Sequence, residues 1–440
     1  MSVITHVFAR RVWDSRGHPT VEAAIRLDSG VIGRGIAPAG ASRGAHEAAD
    51  LRDGGTRLAG MDVSKAVDNV NRLIAPAIIG LPILDQFTID ERLIALDPSP
   101  RKEHLGGNAT VAVSLAAIHA AAASQGRPLW QHISETYNRI PRIPLPQIQI
   151  FGAGTTDAGH RLDIQDLMVM VPGAKDFDEV LEVTCEIYLA AGELLSWRGE
   201  RTGVTDEGGH WPAFDSNEQA IELLTLAIQK AGEKPGARVV IAIDMAASRL
   251  GTRDAYRLDL DQRNLDTAAM LDLMGRWIEA YPITSIEDPL SEDDTEGWME
   301  FNRRFGGQVQ VVGDDYLATN AKRVQEAARD RACNALLLTV GQAGTLTEAL
   351  GAYHSAEAQG WRTIVSARSG ESEDVTVSHL ATGLGCGQLK VGSFTRSERV
   401  AKWNECLRIQ DELGTSAFAG AEPLERASTH ERGTNQHETT

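Results

Sequence analysis

Apolar positions along the chain fall into two patterns. Near the start, Val21, Ala23, Ile25 and Leu27 alternate with Glu22, Ala24 and Arg26, a period of two that predicts a strand. Asp28-Ser29-Gly30 supplies turn residues before Val31-Ile32, so an antiparallel partner is expected. The alanine-rich stretch Ala109 to Ala123, with Val113, Leu115 and Ile118, reads as a helix. Pro141, Pro144 and Pro146 then interrupt any helix, which places a domain boundary near Asn138. Residues 1–138 are expected to form an α+β capping domain.

Beyond that boundary the pattern changes. Short apolar runs recur at Leu167–Val171, Val239–Ile243, Ile283–Ile286, Val309–Val312, Ala335–Leu338 and Thr363–Val365. Longer amphipathic segments separate them, such as Asn217 to Lys230, where Ile221, Leu224 and Ile228 share a face. Ser216 with Gln219 predicts a capping box at its start, and Gly232 ends it. Near-continuous apolar strands alternating with helices predict a parallel sheet covered by helices. So many units over 139–421 suit an α/β fold, an eight-fold (β/α)8 barrel. An open doubly wound sheet is the other arrangement such alternation allows, but no GxGxxG follows a strand. Polar residues 422–440 are expected to form a disordered tail.

The chain has 440 residues, enough for one large barrel and a smaller domain, and its formal net charge is −18. With no long basic run, that charge disfavours nucleic acid and anionic membranes as partners. An anionic substrate must therefore be held by local cations. Met1 to Gly17 lacks the pattern of a secretory signal, and no run of about 18 apolar residues occurs. Cys185, Cys333, Cys386 and Cys406 form no CxxC pair, so neither a zinc site nor a disulfide framework is expected. The expectation is a cytoplasmic protein with reduced thiols.

Charged residues stand where the apolar runs end: Asp244 after Ile243, Glu287 and Asp288 after Ile286, Asp314 and Asp315 after Gly313. One such acid would be read as a cap for the next helix. Acids at three successive strand ends, which converge on one rim of a barrel, instead suggest an all-oxygen site for a hard cation such as Mg2+. Arg368 and Ser369 follow another strand and can hold a phosphate or carboxylate through charge-assisted bonds. Lys390 is expected to end the next apolar segment, at the same rim. Glu207, in Thr205-Asp206-Glu207-Gly208-Gly209, adds a carboxylate on a flexible turn.

Several of these segments together resemble the enolase family. They are Asp14-Ser15-Arg16-Gly17 with Pro19-Thr20-Val21-Glu22, then Asp206-Glu207-Gly208-Gly209, Ser285-Ile286-Glu287-Asp288-Pro289, Val312-Gly313-Asp314-Asp315, Arg368 through Asp374, and Arg396-Ser397-Glu398-Arg399. The resemblance runs in unbroken order from about Ile4 to Gly420. It implies a capping domain on a modified (β/α)8 barrel, a homodimer, and Mg2+ as cofactor. It further implies Asp244, Glu287 and Asp314 as metal ligands and Glu207 as a general acid. Lys390 would pair with a substrate carboxylate, Arg368 and Ser369 with its phosphate, and Gln165 and Asp166 would stand where the family has Gln-Glu. The implied ligand is a small phosphorylated or phosphonylated carboxylic acid, like phosphoenolpyruvate or 2-phosphoglycerate.

The departures from the family pattern are as informative. Thr339 stands where the family has the lysine that removes a proton, and threonine is no base near neutral pH. Ala367 and Asp157 replace histidines, Asp157 being a candidate catalytic group in its own right, and Ala39 replaces a serine that helps hold a second Mg2+. All of these changes fall at the reacting end. They imply a changed reaction, with phosphonoformyl transfer to an enolpyruvate unit, as in the carboxyphosphonoenolpyruvate-forming branch of phosphonate-antibiotic biosynthesis, as the expectation. The alternatives are the ordinary hydratase reaction with another base, and a non-catalytic relative.

Overall fold

The computed structural model describes residues 2–40, 44–154, 162–199 and 203–425. Strands β1 (Ile4–Trp13), β2 (Pro19–Leu27) and β3 (Ile32–Ile36) form an antiparallel sheet in sequence order. The predicted strand and turn are there, with Gly30 at φ 86° in the turn. Its alternation, however, does not separate core from solvent. β2 is the central strand, and of its residues only Arg26 is exposed, because the helix Gly107–Ser124 covers one face. Gly33 and Gly35 make that contact possible: a Cβ at either would come within 3.0 Å of the helix backbone at Ala112, Ala116 or Ala120. This helix is long and apolar enough to cross a membrane, but 83% of it is buried inside the protein.

After the capping domain come β4 (Leu145–Gly152), β5 (Asp166–Met170) and β6 (Val240–Asp244), then three short strands, β7 (Gly251–Thr252), β8 (Ala255–Leu258) and β9 (Arg263–Leu265), which form a small separate sheet. β10 (Ile283–Glu287), β11 (Gln310–Gly313), β12 (Ala335–Leu338), β13 (Arg362–Ser366) and β14 (Gly387–Ser393) complete a closed eight-stranded barrel with β4, β5 and β6. The expected barrel is present, with one departure from a uniformly parallel sheet. β5 runs antiparallel to both β4 and β6, and the other neighbouring pairs are parallel. Among the described residues no helix lies between β4 and β5, and the 13 residues that join them need no crossover of the kind parallel pairing requires. Two helices, Phe177–Arg198 and Asn217–Lys230, then follow in succession before β6.

The second helix has the predicted bounds. Ser216 accepts from Gln219 N at 3.2 Å, while the Gln219 carboxamide accepts from Asp215 N at 2.8 Å rather than from Ser216, so the expected box closes one residue early. β4 lay hidden in the sequence because Pro146 near its start reads as a breaker, and Gln147 and Gln149 as exposed polar positions. Both glutamines are buried in the barrel. At the C-terminal end, residues 422–425 do not belong to a tail: Glu422–Leu424 form a helical turn, Pro423 is buried, and Glu422 pairs with Arg142 at 2.9 Å. Residues 426–440 lie outside the described ones.

Inside the barrel the period-two geometry of strands sets the layers. Gln310 and Gln388 bond each other across the lower interior at 2.8 Å. Above them Val312, Ala335, Leu337 and Ile364 form a separate apolar cluster. Two residues beyond Val312, Leu337 and Ile364 stand Asp314, Thr339 and Ser366, and two beyond Gln388 stands Lys390; all four line a chamber at the upper rim.

Candidate active site

The rim holds two adjoining chambers. The inner one, about 50 Å³, is lined by Asp314, Thr339, Ala367, Arg368 and Lys390 among others. The outer one, about 330 Å³, opens beyond it and includes Asp206, Arg249, Glu292 and Asp315. Gln165, Asp166, Glu207 and Ser369 line both. The structure thus brings together almost all of the residues expected at the site. Asp157 lies outside the described residues.

Lys390 is at the centre. It sits within β14 rather than at its end, level with Ser366 at the end of β13, and is buried. Its ammonium donates to Asp244 Oδ2 at 2.7 Å and to both Glu287 oxygens at 2.8 and 2.9 Å, with Asp166 Oδ2 at 3.7 Å. The sequence reading assigns it to a substrate carboxylate; in this structure it neutralises the protein's own carboxylates instead. Burial works against its charge, but Asp244, Glu287 and Asp166 outweigh that and raise its pKa well above the usual lysine range. Burial, with Asp244 beside it, pushes Glu287 well above the usual carboxylate range.

Asp244 also accepts from Gln165 Nε2 at 3.0 Å and from Ala246 N at 2.9 Å. Asp314 accepts from Gln342 Nε2 at 2.7 Å, and burial lifts its pKa to about 6 against the pull of Arg368 and Lys390. Among the described residues, the acids that approach one another within 4.8 Å are Asp288, Asp314 and Asp315, not the expected trio. Asp288 is already engaged, because its two oxygens accept from Asp314 N and Asp315 N, each at 2.9 Å, fixing the turn after β11. Asp314 is common to both groupings.

Asp166 reaches the rim because β5 is reversed: its first residue, not its last, stands level with Asp244. Burial and the neighbouring Glu207 raise its pKa to about 7, and Gln149 donates to it. Glu207 is not on a loose turn. Its carbonyl accepts from Ser393 N at 2.9 Å, and the next carbonyl, of Gly208, accepts from Tyr188 at 2.9 Å and Thr395 at 2.7 Å. Gly208 has φ 93°, and a Cβ there would meet Thr395 O at 2.6 Å. Burial raises the Glu207 pKa, which suits a group that must hold a proton before giving it away.

Arg368 donates to Glu47 Oε2 at 2.8 Å, a buried pair that joins the capping domain to the barrel. Glu47 Oε1 also accepts from Gln342 at 3.3 Å, so one carboxylate ties the anion clamp to the residue holding Asp314. The backbone of the same barrel loop is pinned by Arg399, which donates to Arg368 O and Val391 O, each at 2.7 Å. Ala39 and Gly370 exchange backbone bonds at 2.8 and 2.9 Å, and Asp14 accepts from Arg16 N and His18 N beside them. The N-terminal motif therefore builds the seam between cap and barrel. Sequence reasoning missed Glu47, Gln149 and Gln342. Glu47, an acid among small residues in Gly44-Ala45-His46-Glu47-Ala48-Ala49, carried a signal that could have been followed.

Of the four replaced positions, Thr339 and Ala367 line the inner chamber and face the same space as Arg368 and Lys390. Two family models match the chain: residues 4–133 match that of the enolase N-terminal domain, and residues 141–427 that of the enolase C-terminal TIM barrel domain.

Proposed function

The chain belongs to the enolase family, and on that premise we propose a Mg2+-dependent enzyme that binds a phosphoenolpyruvate-like acid and transfers the phosphonoformyl group of an activated donor to the enol oxygen of a three-carbon enolpyruvate unit. The new P–O bond forms as the donor's bond from phosphorus to its activating group breaks, and that group leaves with the electron pair. The product would be carboxyphosphonoenolpyruvate. One observation supports a changed reaction most directly: Thr339 and Ala367 line the inner chamber, while Glu207, Arg368, Ser369 and Lys390 line it with them. The clamp is kept and the proton-abstracting side chain is not.

The residues present fit a divalent cation. Lys390 already places one positive charge between Asp244 and Glu287, at 2.7 to 2.9 Å, and the available donors are carboxylate oxygens, the type hard cations take. Asp244, Glu287 and Asp314 would hold it. A bound Mg2+ supplies electrostatic stabilisation for charge that develops on carboxylate and phosphoryl oxygens. Arg368, fixed by Glu47, orients the phosphoryl or phosphonyl group. Lys390, once displaced from Asp244 and Glu287, takes the carboxylate. Glu207, its pKa raised by burial, serves as the acid at the boundary of the two chambers.

The test is formation of phosphoenolpyruvate from 2-phosphoglycerate with Mg2+, comparing the native protein with Thr339→Lys, alongside Mg2+-dependent binding of phosphoenolpyruvate. The expected result is binding without native turnover, and measurable turnover in the lysine variant, since a general base contributes roughly 10²–10⁴-fold. Robust native turnover would instead make the protein an ordinary hydratase with another base. Absence of Mg2+-dependent binding would remove the enzymatic reading.

A further inference from the structure

The outer chamber is larger than the inner one, about 330 against 50 Å³, and the two meet at Gln165, Asp166, Glu207 and Ser369. A three-carbon acid in the inner chamber leaves the outer one to a second molecule. Asp166, Asp206, Glu207, Glu292 and Asp315 contribute acids to its wall, and among the described residues Arg249 is the only arginine or lysine lining it. Arg249 lies just past the metal-ligand candidate Asp244. Ala246, in the left-handed region at φ 44°, turns the chain there, and Ala247 N bonds Asp288 O at 3.1 Å. The helical turn Ala247–Arg249 that follows presents Ser248 and Arg249 to the chamber.

One of the guanidinium's donors goes to Gln165 Oε1 at 2.8 Å, and Gln165 in turn donates to Asp244 at 3.0 Å. Among the described residues no carboxylate pairs with Arg249, despite the acids in the same wall. A guanidinium carries five donors in a fixed fork suited to carboxylate and phosphonate oxygens. Most of that fork is uncommitted, on an exposed side chain at the chamber's mouth.

We propose that the outer chamber is the subsite of the second reactant, and that Arg249 anchors this reactant's phosphonate or carboxylate group. The proposal rests on the transfer reading above and names the residue that recognises the donor. Asp315 adjoins Asp314 and Asp166 adjoins Asp244, where a cation held by the carboxylates would compensate them; Glu292, whose N bonds Ser248 Oγ at 2.9 Å, stands beside Arg249, which supplies positive charge there. Gln165 links this anchor to Asp244.

Phosphonoformate is the probe, titrated calorimetrically into the full chain with Mg2+ and saturating phosphoenolpyruvate. It is expected to bind without displacing phosphoenolpyruvate, and Arg249→Gln should weaken it about 10-fold or more, as loss of a charge-assisted fork implies. Arg249→Lys should recover part of that loss. In the same variants the affinity for phosphoenolpyruvate alone should stay within about threefold, because Arg249 lies outside the inner chamber. Competition between the two ligands, no phosphonoformate binding, or equal binding by Arg249→Gln would each overturn the proposal. Failure of the transfer reading is separately visible, as loss of Mg2+-dependent phosphoenolpyruvate binding in the native protein.

Discussion

At the residue scale, the organising feature is an ammonium ion among carboxylates. Lys390 is buried and contacts Asp244, Glu287 and Asp166. Lys390→Met would leave those acids without their counter-charge, which for a buried pair costs on the order of 3–5 kcal/mol. The expected outcome is a lower unfolding temperature in chelator and a larger rise on adding Mg2+ than the native protein shows. Thermal melts with and without Mg2+ check this, and an unchanged Mg2+ response would mean the cation binds elsewhere. Much of this site was legible in the sequence, because Asp244, Glu287 and Asp314 each follow an apolar run. What could not be read was who pairs with whom. Lys390 reads as a binder of external anions, and only the register of β14 against β13, Lys390 level with Ser366, reveals its internal partners. Glu47 escaped for a similar reason, since its partners Arg368 and Gln342 lie about 300 residues away.

At the element scale, the period of the apolar pattern located strands well but not their surroundings. The helix Asn217–Lys230 and the strand Ala335–Leu338 appear with the bounds the sequence suggests. β4 did not, because its buried glutamines face a barrel interior whose polarity no local pattern discloses. β2 alternates yet is buried on both faces, since the helix Gly107–Ser124 covers it. That packing gives a sharp test. Gly35→Ala places a methyl 2.5 Å from Ala116 N and 2.6 Å from Ala112 O, both backbone atoms that cannot step aside. The cap should lose roughly 1–3 kcal/mol, the usual cost of overpacking, measured by denaturant unfolding. A neutral result would show that the helix does not lie against β3 as described.

For the whole molecule, the charge of −18 surrounds a site built for anions. The long-range field therefore opposes entry of the substrate, and local groups such as Arg368 must overcome it. Added salt screens that field over about 8–10 Å, so the association rate of phosphoenolpyruvate at fixed Mg2+ should rise with ionic strength. Stopped-flow binding at increasing salt checks the sign, and a falling rate would mean that local positive charge already dominates the approach. The two-domain architecture itself was visible in the change from antiparallel to repeating apolar runs. The reversed β5 was not, because a strand's direction follows from the missing crossover rather than from its own residues.

That reversal has an evolutionary consequence. In a uniform barrel, each link between strands has one end on the catalytic face and the other on the opposite face. Here the link between Gly152 and Asp166 leaves from and returns to the catalytic face, since those two residues are paired neighbours at the rim. Gly152 and Asp166 fix its two ends at the rim, so a change in its length need not move either strand. Selection for a new substrate can thus edit a segment whose two ends stand at the catalytic face, while the pairing of the strands it joins is kept.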